Sequence, residues 1–128
     1  MAGMSEARHQ ASVIKWTQQP AIRRQWPELA LLHHIPNGGN RDPIEAKHLK
    51  QQGVKSGVPD LFLPVPRGRY HGLYIEMKTE TGHTSREQEW WGEKLRIQGY
   101  MWEVCHGWQS AVSVLEWYMS LNGPGEDG

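Results

Sequence analysis

Residues 57–78 read GVPDLFLPVPRGRYHGLYIEMK, a segment in which two short apolar runs flank a connection rich in Gly and Arg. The runs at 60–65 and 73–78 are predicted to be strands, and residues 67–72 to form a hairpin-like connection between them. If the two strands pair antiparallel, the start of the first lies beside the end of the second. We therefore expect Asp60 to lie near Glu76 and Lys78.

The side chains of Glu76 and Lys78 are expected to share one face of their strand, because strand residues two apart point the same way. Two carboxylates beside a lysine suit phosphodiester hydrolysis. Mg²⁺ binds to one or two carboxylates together with water and phosphate oxygens, and a bound metal lowers the pKa of its water. A lysine nearby orients or helps to deprotonate that water and stabilises the negative transition state. The structural alternative is that Asp60 is a cap and Glu76 and Lys78 form an ion pair.

A second Glu-x-Lys sequence, Glu45-Ala-Lys47, serves as an internal comparison. It lies in a predicted helix, where residues two apart do not share a face. No Asp at the start of a strand precedes it. Only the copy at 76–78 combines the strand, the preceding Pro-Asp pair and the hairpin.

The first half of the chain is predicted to contain two helices and one strand. Residues 5–19 have apolar residues at helical spacing, and Pro20 is expected to close that helix. The apolar run 29–35 is predicted to be a buried strand, although it could also end the preceding helical region. Asp42-Pro-Ile-Glu45 has the residues of a capping box with Pro at the first helical position, and Gly53 is the expected stop.

The second half continues with a helix, a strand and a closing helix. Thr84-Ser-Arg-Glu87 predicts a further capping box, which opens a helix that ends near Gly99. Residues 100–105 are predicted to be a strand and 109–121 a helix. The residues expected to point inward from this helix are Val112, Leu115 and Tyr118 or Met119. The order α-β-α-β-β-α-β-α predicts an α/β fold, with a mixed sheet flanked by helices on both faces.

The 128-residue chain is long enough for one domain and too short for two. It carries 14 Lys and Arg against 14 Asp and Glu, and this zero net charge argues against a purely electrostatic nucleic-acid binder. The charges are unevenly distributed, because residues 1–58 hold eight basic and four acidic residues and residues 59–128 hold six basic and ten acidic ones. The basic half is a candidate for phosphate binding.

The single cysteine, Cys105, excludes an intramolecular disulfide and a cysteine-based zinc site. No apolar run approaches the roughly 20 residues of a membrane span, and the first residues lack the apolar stretch of a signal peptide. A reduced, cytoplasmic setting without membrane contact is therefore expected. Residues 1–121 are predicted to form the domain, and 122–128 a flexible tail.

Several motifs in this chain match those of one nuclease family. They are Ile35-Pro-Asn-Gly-Gly-Asn-Arg41, Gly57-Val-Pro-Asp-Leu61, Ile75-Glu-Met-Lys78, Ser85-Arg-Glu-Gln88 and, in the first helix, residues 6–10. Together they resemble the VRR-NUC (virus-type replication-repair nuclease) branch of the PD-(D/E)XK nucleases over about residues 5–121. The resemblance implies a restriction-endonuclease-like core.

The resemblance also implies the site residues. Asp60 and Glu76 would be ligands of a Mg²⁺ or Mn²⁺ ion, and the backbone carbonyl of Met77 would complete the metal site. Lys78 would be the catalytic lysine. The resemblance thus assigns a role to the same residues that the hairpin is expected to bring together.

Two helical residues are added by the resemblance. Glu6 would approach the site from the first helix, and Gln88 would come from the helix after the Lys78 strand to orient the lysine or the water. Both have an alternative interpretation as solvated helix-surface residues. The family includes small phage proteins and the C-terminal domain of a larger DNA-repair nuclease. This chain has no room for a separate DNA-binding domain, and we expect the stand-alone type, in a phage or bacterial host cytoplasm.

Polar and basic residues around the site are predicted to contact DNA phosphates. They are Asn37, Arg41, Lys47, Lys50 and Lys55, with Arg67 and Arg69 as a second patch. The alternatives are a simple turn before a capped helix and charges that serve solubility. None of the seven histidines is predicted to bind a metal.

Aromatic residues are abundant in the second half of the chain. Those predicted to build the core or a dimer surface are Trp90, Trp91, Trp102, Trp108 and Trp117. Stacking on unpaired bases is the alternative. Cys105 is expected to be buried as a small apolar residue.

The small stand-alone members of the family resemble homodimeric Holliday-junction resolvases. The resemblance therefore implies a metal-dependent endodeoxyribonuclease that cuts branched DNA, with four-way junctions as the first choice and with 5′-phosphate and 3′-hydroxyl products. A homodimer is expected, because two equivalent cuts need two equivalent sites. The alternatives are a non-catalytic junction-binding module and a nuclease that acts on RNA or unbranched DNA.

Overall fold

The sheet of this protein is built around the predicted hairpin. In the computed structural model, which describes residues 3–36 and 42–125, the strands are β1 (His33–His34), β2 (Leu61–Leu63), β3 (Leu73–Lys78) and β4 (Met101–His106). They lie in the order β1-β2-β3-β4. The first two pairs are antiparallel, whereas β3 and β4 are parallel, so the predicted mixed sheet is confirmed.

The register of the hairpin determines what lies beside the end of β3. Leu61 pairs with Ile75, and Leu63 pairs with Leu73. Strand β2 is shorter than the predicted 60–65, because Pro64 has no N–H to donate to the ladder. One residue further along the same register, Asp60 lies opposite Glu76.

Five α-helices in the described residues surround this sheet, and their order follows the chain. They are α1 (Glu6–Thr17), α2 (Pro20–Gln25), α3 (Pro43–Gln51), α4 (Arg86–Ile97) and α5 (Trp108–Met119). Within the described residues, no helix is long and apolar enough to cross a membrane.

Strand β3 is buried on both faces, as expected of a strand covered by helices on two sides. Leu73, Ile75 and Met77 point to one face, where they join the core with residues of α1 and α5. This side is held by Tyr118 of α5, whose hydroxyl donates a 2.6 Å hydrogen bond to the carbonyl of Val65.

Helix α4 covers the opposite face through an unusually close contact. A Cβ placed on Gly92 would lie 2.2 Å from Cδ2 of Trp102, so only glycine lets the helix pack directly on this ring. Trp102 lies beside Tyr74 in the parallel pair, on the face that also carries Glu76 and Lys78. The prediction of helices on both faces is confirmed, and the polar residues of β3 lie on the α4 side.

The N-terminal third differs from the prediction. Helix α1 ends at Thr17, and Pro20 begins α2 instead of only ending α1, because Pro suits the first turn of a helix. The predicted strand 29–35 is wrong for most of its length: a 3₁₀ helix covers Pro27–Leu31, and only His33–His34 forms a strand. Leu29 and Leu32 are both buried, three residues apart, which suits a 3₁₀ turn better than an alternating strand.

Smaller corrections concern element ends in the second half. Strand β4 extends to His106, one residue beyond the prediction, and α5 begins at Trp108. Val112 is only half-buried, and Ala111 takes the inward position together with the predicted residues of this helix. Cys105 is fully buried, as expected.

Candidate functional site

The Asp60 and Glu76 carboxyl groups meet where β2 begins and β3 ends. Asp60 precedes β2, and its Oδ2 accepts a 2.7 Å hydrogen bond from the backbone N–H of Met77. The carbonyl of Asp60 accepts bonds of 2.8 Å from the backbone N–H of Ile35 and from Nδ1 of His34. The side-chain carboxylate and the backbone carbonyl of Asp60 are therefore both held by neighbouring segments of the sheet. This keeps the carboxylate beside Glu76.

Glu76 is the most perturbed acid of the site. Its side chain is 1% exposed. Its pKa is raised to about 9: burial is the largest cause, a hydrogen bond to the Asp60 carboxyl and the Asp60 charge act in the same direction, and Lys78 opposes the shift. At neutral pH and without a cation, the raised pKa favours a protonated Glu76 that hydrogen-bonds to the Asp60 carboxyl.

The two oxygens of Glu76 have different surroundings. Oε2 accepts a 3.2 Å hydrogen bond from Nε2 of Gln88. Oε1 is buried, and no hydrogen bond reaches it from the part of the chain that the structure describes. A buried acceptor without a donor is costly. The buried carboxyl group of Glu76 is therefore stabilised either by the proton that lies between it and Asp60 or by a cation bound at the same position.

Lys78 follows Glu76 on the same face of β3 and is only 7% exposed. The ion pair that the structure records among its described residues joins Arg67 and Glu28, so no described carboxylate pairs with Lys78. The structural alternative, an ion pair between Glu76 and Lys78, is not what the geometry shows. A largely buried lysine whose ammonium has no carboxylate within ion-pair distance, but whose charge acts on Glu76, is suited to bind a phosphate oxygen or a water.

Gln88 connects the site to the start of α4. Ser85 is the N-cap: its Oγ accepts from the N–H of Gln88 at 3.2 Å, and Oε1 of Gln88 accepts from the N–H of Ser85 at 2.8 Å. The predicted box at Thr84 and Glu87 was placed one residue early, because either hydroxyl suits a cap. With Oε1 in the cap, Nε2 of Gln88 is directed at Glu76.

Gly57 brings this helix start against the segment that leads to Asp60. Its φ is +90°, a conformation that favours glycine, and a Cβ there would lie 2.7 Å from the backbone carbonyl carbon of Glu87. The Gly-x-Pro-Asp sequence therefore has a steric explanation. Glycine allows the loop to touch the first turn of α4 at a point three residues before Asp60.

Glu6 lies near the site without touching it. It is the first residue of α1 and is exposed. Its charge contributes to the raised pKa of Glu76, as the smallest of the causes. The start of α1 is held by His9, whose Nδ1 accepts a 3.1 Å bond from the N–H of Trp108. Sequence reasoning missed this role of His9, because a single histidine in an amphipathic helix carries no signal of its partner.

The residues present fit a hard divalent cation. Mg²⁺ prefers oxygen ligands and keeps several waters, so two carboxylates and a carbonyl suffice. Asp60 and Glu76 supply the carboxylates, and Oε1 of Glu76 is an acceptor without a donor.

The predicted DNA contacts fall into separate groups. Asn37 and Arg41 lie outside the described residues. Lys47, Lys50 and Lys55 are exposed on α3 and on the loop that follows it. This loop leads directly to Gly57 and Asp60, so these lysines lie on the chain segment next to the site.

The hairpin arginines are at the other end of the sheet. Arg67 and Arg69 precede the start of β3, whereas Lys78 is its last residue. Nη2 of Arg67 pairs with Oε2 of Glu28 at 2.9 Å, and the Arg69 guanidinium lies 5.4 Å from the ring centroid of Tyr70. The structure does not bring these two residues to the carboxylates, and Arg67 has a structural partner.

The tryptophans do not behave as one group. Trp102 is a core residue, but Trp90 and Trp117 are 54% and 50% exposed. The core interpretation is therefore wrong for these two side chains. They lie on different helices, α4 and α5, which cover opposite faces of the sheet.

Comparison with known proteins agrees with this geometry. The family model described as VRR-NUC domain matches residues 4–109. A solved structure of a VRR_NUC domain protein is 32% identical and superposes with a TM-score of 0.81, covering 96% of this chain and 94% of that one. No curated protein gives a significant match. A family match over most of the chain and a paired-carboxylate hairpin with its lysine lead to one conclusion: the chain belongs to the VRR-NUC family, nucleases of the PD-(D/E)XK type.

Proposed function

We propose that this protein is a divalent-metal-dependent endonuclease that cuts branched DNA, with four-way junctions as its first substrate. The observation that carries the proposal is the Asp60–Glu76 carboxyl pair beside the buried Lys78. No carboxylate of the described residues lies within ion-pair distance of this lysine. A site that holds two acids and an unpaired ammonium together is costly to fold, and phosphodiester hydrolysis explains why all three are present.

Asp60 and Glu76, with the backbone carbonyl of Met77, would hold Mg²⁺ or Mn²⁺. A bound cation of this kind offsets charge on the phosphate and lowers the pKa of its water. Asp60 is suited to this role because the Met77 N–H and the two donors to its own carbonyl hold it in place. Glu76 would hold such a cation in its ionised form, without the proton that otherwise lies between it and Asp60.

The protein's own groups then act on water and phosphate. Lys78 orients the attacking water and stabilises charge on the phosphate oxygens. The water oxygen bonds to phosphorus, the P–O3′ bond breaks, and the departing oxygen takes up a proton, which leaves 5′-phosphate and 3′-hydroxyl ends. Gln88 keeps Glu76 in position through its 3.2 Å hydrogen bond. Glu6 approaches from α1 and adds negative charge that favours cation binding.

Sequence-independent affinity would come from the lysines of the α3 region. Lys47, Lys50 and Lys55 are exposed, and with Asn37 and Arg41 they would bind backbone phosphates. Two symmetric cuts in a junction need two sites, which favours a homodimer.

The test is cleavage of labelled four-way junctions, flaps and linear duplex in Mg²⁺ and in EDTA. We expect cutting in Mg²⁺ only, with the junction cut fastest. Lys78→Ala and Glu76→Ala should lose activity by at least about 100-fold, since each removes a group that acts on the reacting atoms. Glu45→Gln is the matched control, because it alters the second Glu-x-Lys sequence, on the helix α3. It should keep full activity.

Three outcomes would contradict the proposal. Equal cutting of all three DNA forms would remove the selectivity for branched DNA. Full activity of Lys78→Ala would remove the assigned site. Junction binding without cleavage in any divalent metal would favour a non-catalytic binding module.

A further inference from the structure

A groove of about 580 Å³ lies between α3, the loop after it and α4. Its lining combines apolar and aromatic side chains with two cations: Leu49, Val54, Trp90, Trp91, Lys50 and Lys55. The groove is open because α3 packs loosely and has no buried residue. It therefore joins an aromatic surface to the same lysines that we assign to phosphate binding.

Trp90 is the exposed member of this surface. It is 54% exposed, although it stands in the middle of a well-formed helix. Trp91 supports it: the two rings are 5.6 Å apart at 84°, and Nε1 of Trp91 donates a 3.1 Å hydrogen bond to the carbonyl of Ser56. Trp91 is therefore fixed to the loop, and Trp90 is presented to solvent on a rigid base.

Several cations lie on the Trp90 ring or along the groove. Nζ of Lys94 lies 5.8 Å from its centroid. Lys50 and Lys55 line the groove, and Arg86 lines its extension along α4, where Glu87 is the one acid among the described lining residues. An aromatic face with an excess of cations fits a base with its flanking phosphates better than it fits an apolar protein segment.

The groove is connected to the proposed active site by short stretches of chain. Trp90 follows Gln88 by two residues, and Ser56 precedes Asp60 by four. Gly57, between them, packs on Glu87 at the start of α4. The loop that forms one wall of the groove therefore leads directly to Asp60, and the other wall belongs to the helix that carries Gln88.

We propose that this groove binds an unpaired nucleotide of the DNA substrate. Trp90 stacks on the base, and Lys50 and Lys55 bind the adjacent phosphates. Bases in continuous duplex are stacked on one another and cannot reach the ring, so the groove selects DNA with unpaired bases next to the cut. This inference rests on the proposed function and specifies how the protein would discriminate branch points that have unpaired bases, such as flaps, from continuous duplex.

The test compares two probes in Ca²⁺, which is used to prevent cleavage: a blunt duplex, and the same duplex with a single-stranded oligothymidine extension. Trp90→Leu should weaken binding of the extended probe about tenfold and of the blunt duplex less than about twofold. Trp90→Phe should retain most of the affinity, because it keeps a stacking face. Trp117→Leu is the matched control, since Trp117 is similarly exposed on α5, and it should change neither affinity.

Two further readouts separate stacking from charge. A 2-aminopurine in the extension should be quenched by the wild-type protein and not by Trp90→Leu. Lys50→Ala with Lys55→Ala should weaken binding of both probes and lower the slope of log affinity against log salt by about 2.

Several results would overturn the inference. The first is that Trp90→Leu weakens binding of both probes equally, and the second is that Trp90→Leu and Trp117→Leu have equal effects on affinity. The third is that Trp90→Leu converts a dimer into a monomer in sedimentation, which would make this face a contact between copies. The two proposals fail separately. Preferential binding of the extended probe without cleavage in Mg²⁺ contradicts the nuclease proposal alone, whereas cleavage with no effect of Trp90→Leu contradicts the groove alone.

Discussion

Replacing Glu76 by Gln should change how the stability of the metal-free protein depends on pH. The pKa of Glu76 is raised from 4.5 to about 9, chiefly because the side chain is buried. Between these values the folded protein binds one proton more than the unfolded chain. Its free energy of unfolding therefore falls as pH rises through this window, and no loss is expected below pH 4.5.

The size of the effect follows from the same two values. Each pH unit inside the window changes the free energy of unfolding by at most about 1.4 kcal/mol. From pH 5 to pH 7 the wild-type protein should lose at most about 3 kcal/mol through this group. Gln has nearly the same shape, can hydrogen-bond to Asp60 and Gln88, and does not titrate. The Glu76→Gln variant should therefore be the more stable protein at neutral pH, by an amount that grows with pH.

The assay is urea unfolding at pH values between about 5 and 8, in EDTA, for both proteins. Glu93→Gln is the control, because Glu93 is an exposed residue on α4, and its profile should run parallel to the wild type. Parallel profiles for Glu76→Gln and the wild type would refute the reasoning, since they would mean that Glu76 is already ionised in the folded protein.

Three other predictions follow from single contacts or from the proposed metal site. Gly92→Ala should lower the free energy of unfolding by about 2 kcal/mol in urea, because the added Cβ would meet the Trp102 ring at 2.2 Å. This clash outweighs the gain in helix propensity of about 1 kcal/mol. A more stable variant would contradict this packing. Tyr118→Phe should cost about 1 kcal/mol in the same measurement, because it leaves the Val65 carbonyl without its buried donor, and an unchanged midpoint would argue against that bond. Mg²⁺ binding near pH 7 should release about one proton, seen as a buffer-dependent heat in titration calorimetry; a heat that is the same in all buffers would contradict the shared proton.

The central part of this fold could be predicted because its signals are local. The β2–β3 hairpin is marked by Gly and Pro around two apolar runs, and its register alone brings Asp60 to Glu76. The 3₁₀ helix at 27–31 could not be predicted, because a short apolar run suits a strand and a buried helical turn equally well. Tertiary contacts decided between them.

The details of the site depended on contacts that no spacing reveals. Thr84 and Ser85 are both good caps, and with Ser85 as the cap the side chain of Gln88 reaches Glu76. Whether Trp90 is core or surface could not be read from its position next to Trp91. The exposed side chain is the one farther from the loop carbonyl of Ser56, and that geometry exists only in the folded chain.

The amide of Gln88 makes the beginning of α4 and the carboxylate pair a single cooperative unit. Helix ends open more often than the rest of a protein, and such openings normally affect only the helix. Here, opening of the first turn would also withdraw the donor from Oε2 of Glu76. Opening of this turn therefore loosens Glu76 while Asp60 stays held by the strands, and heating should weaken the site before the sheet beneath it unfolds.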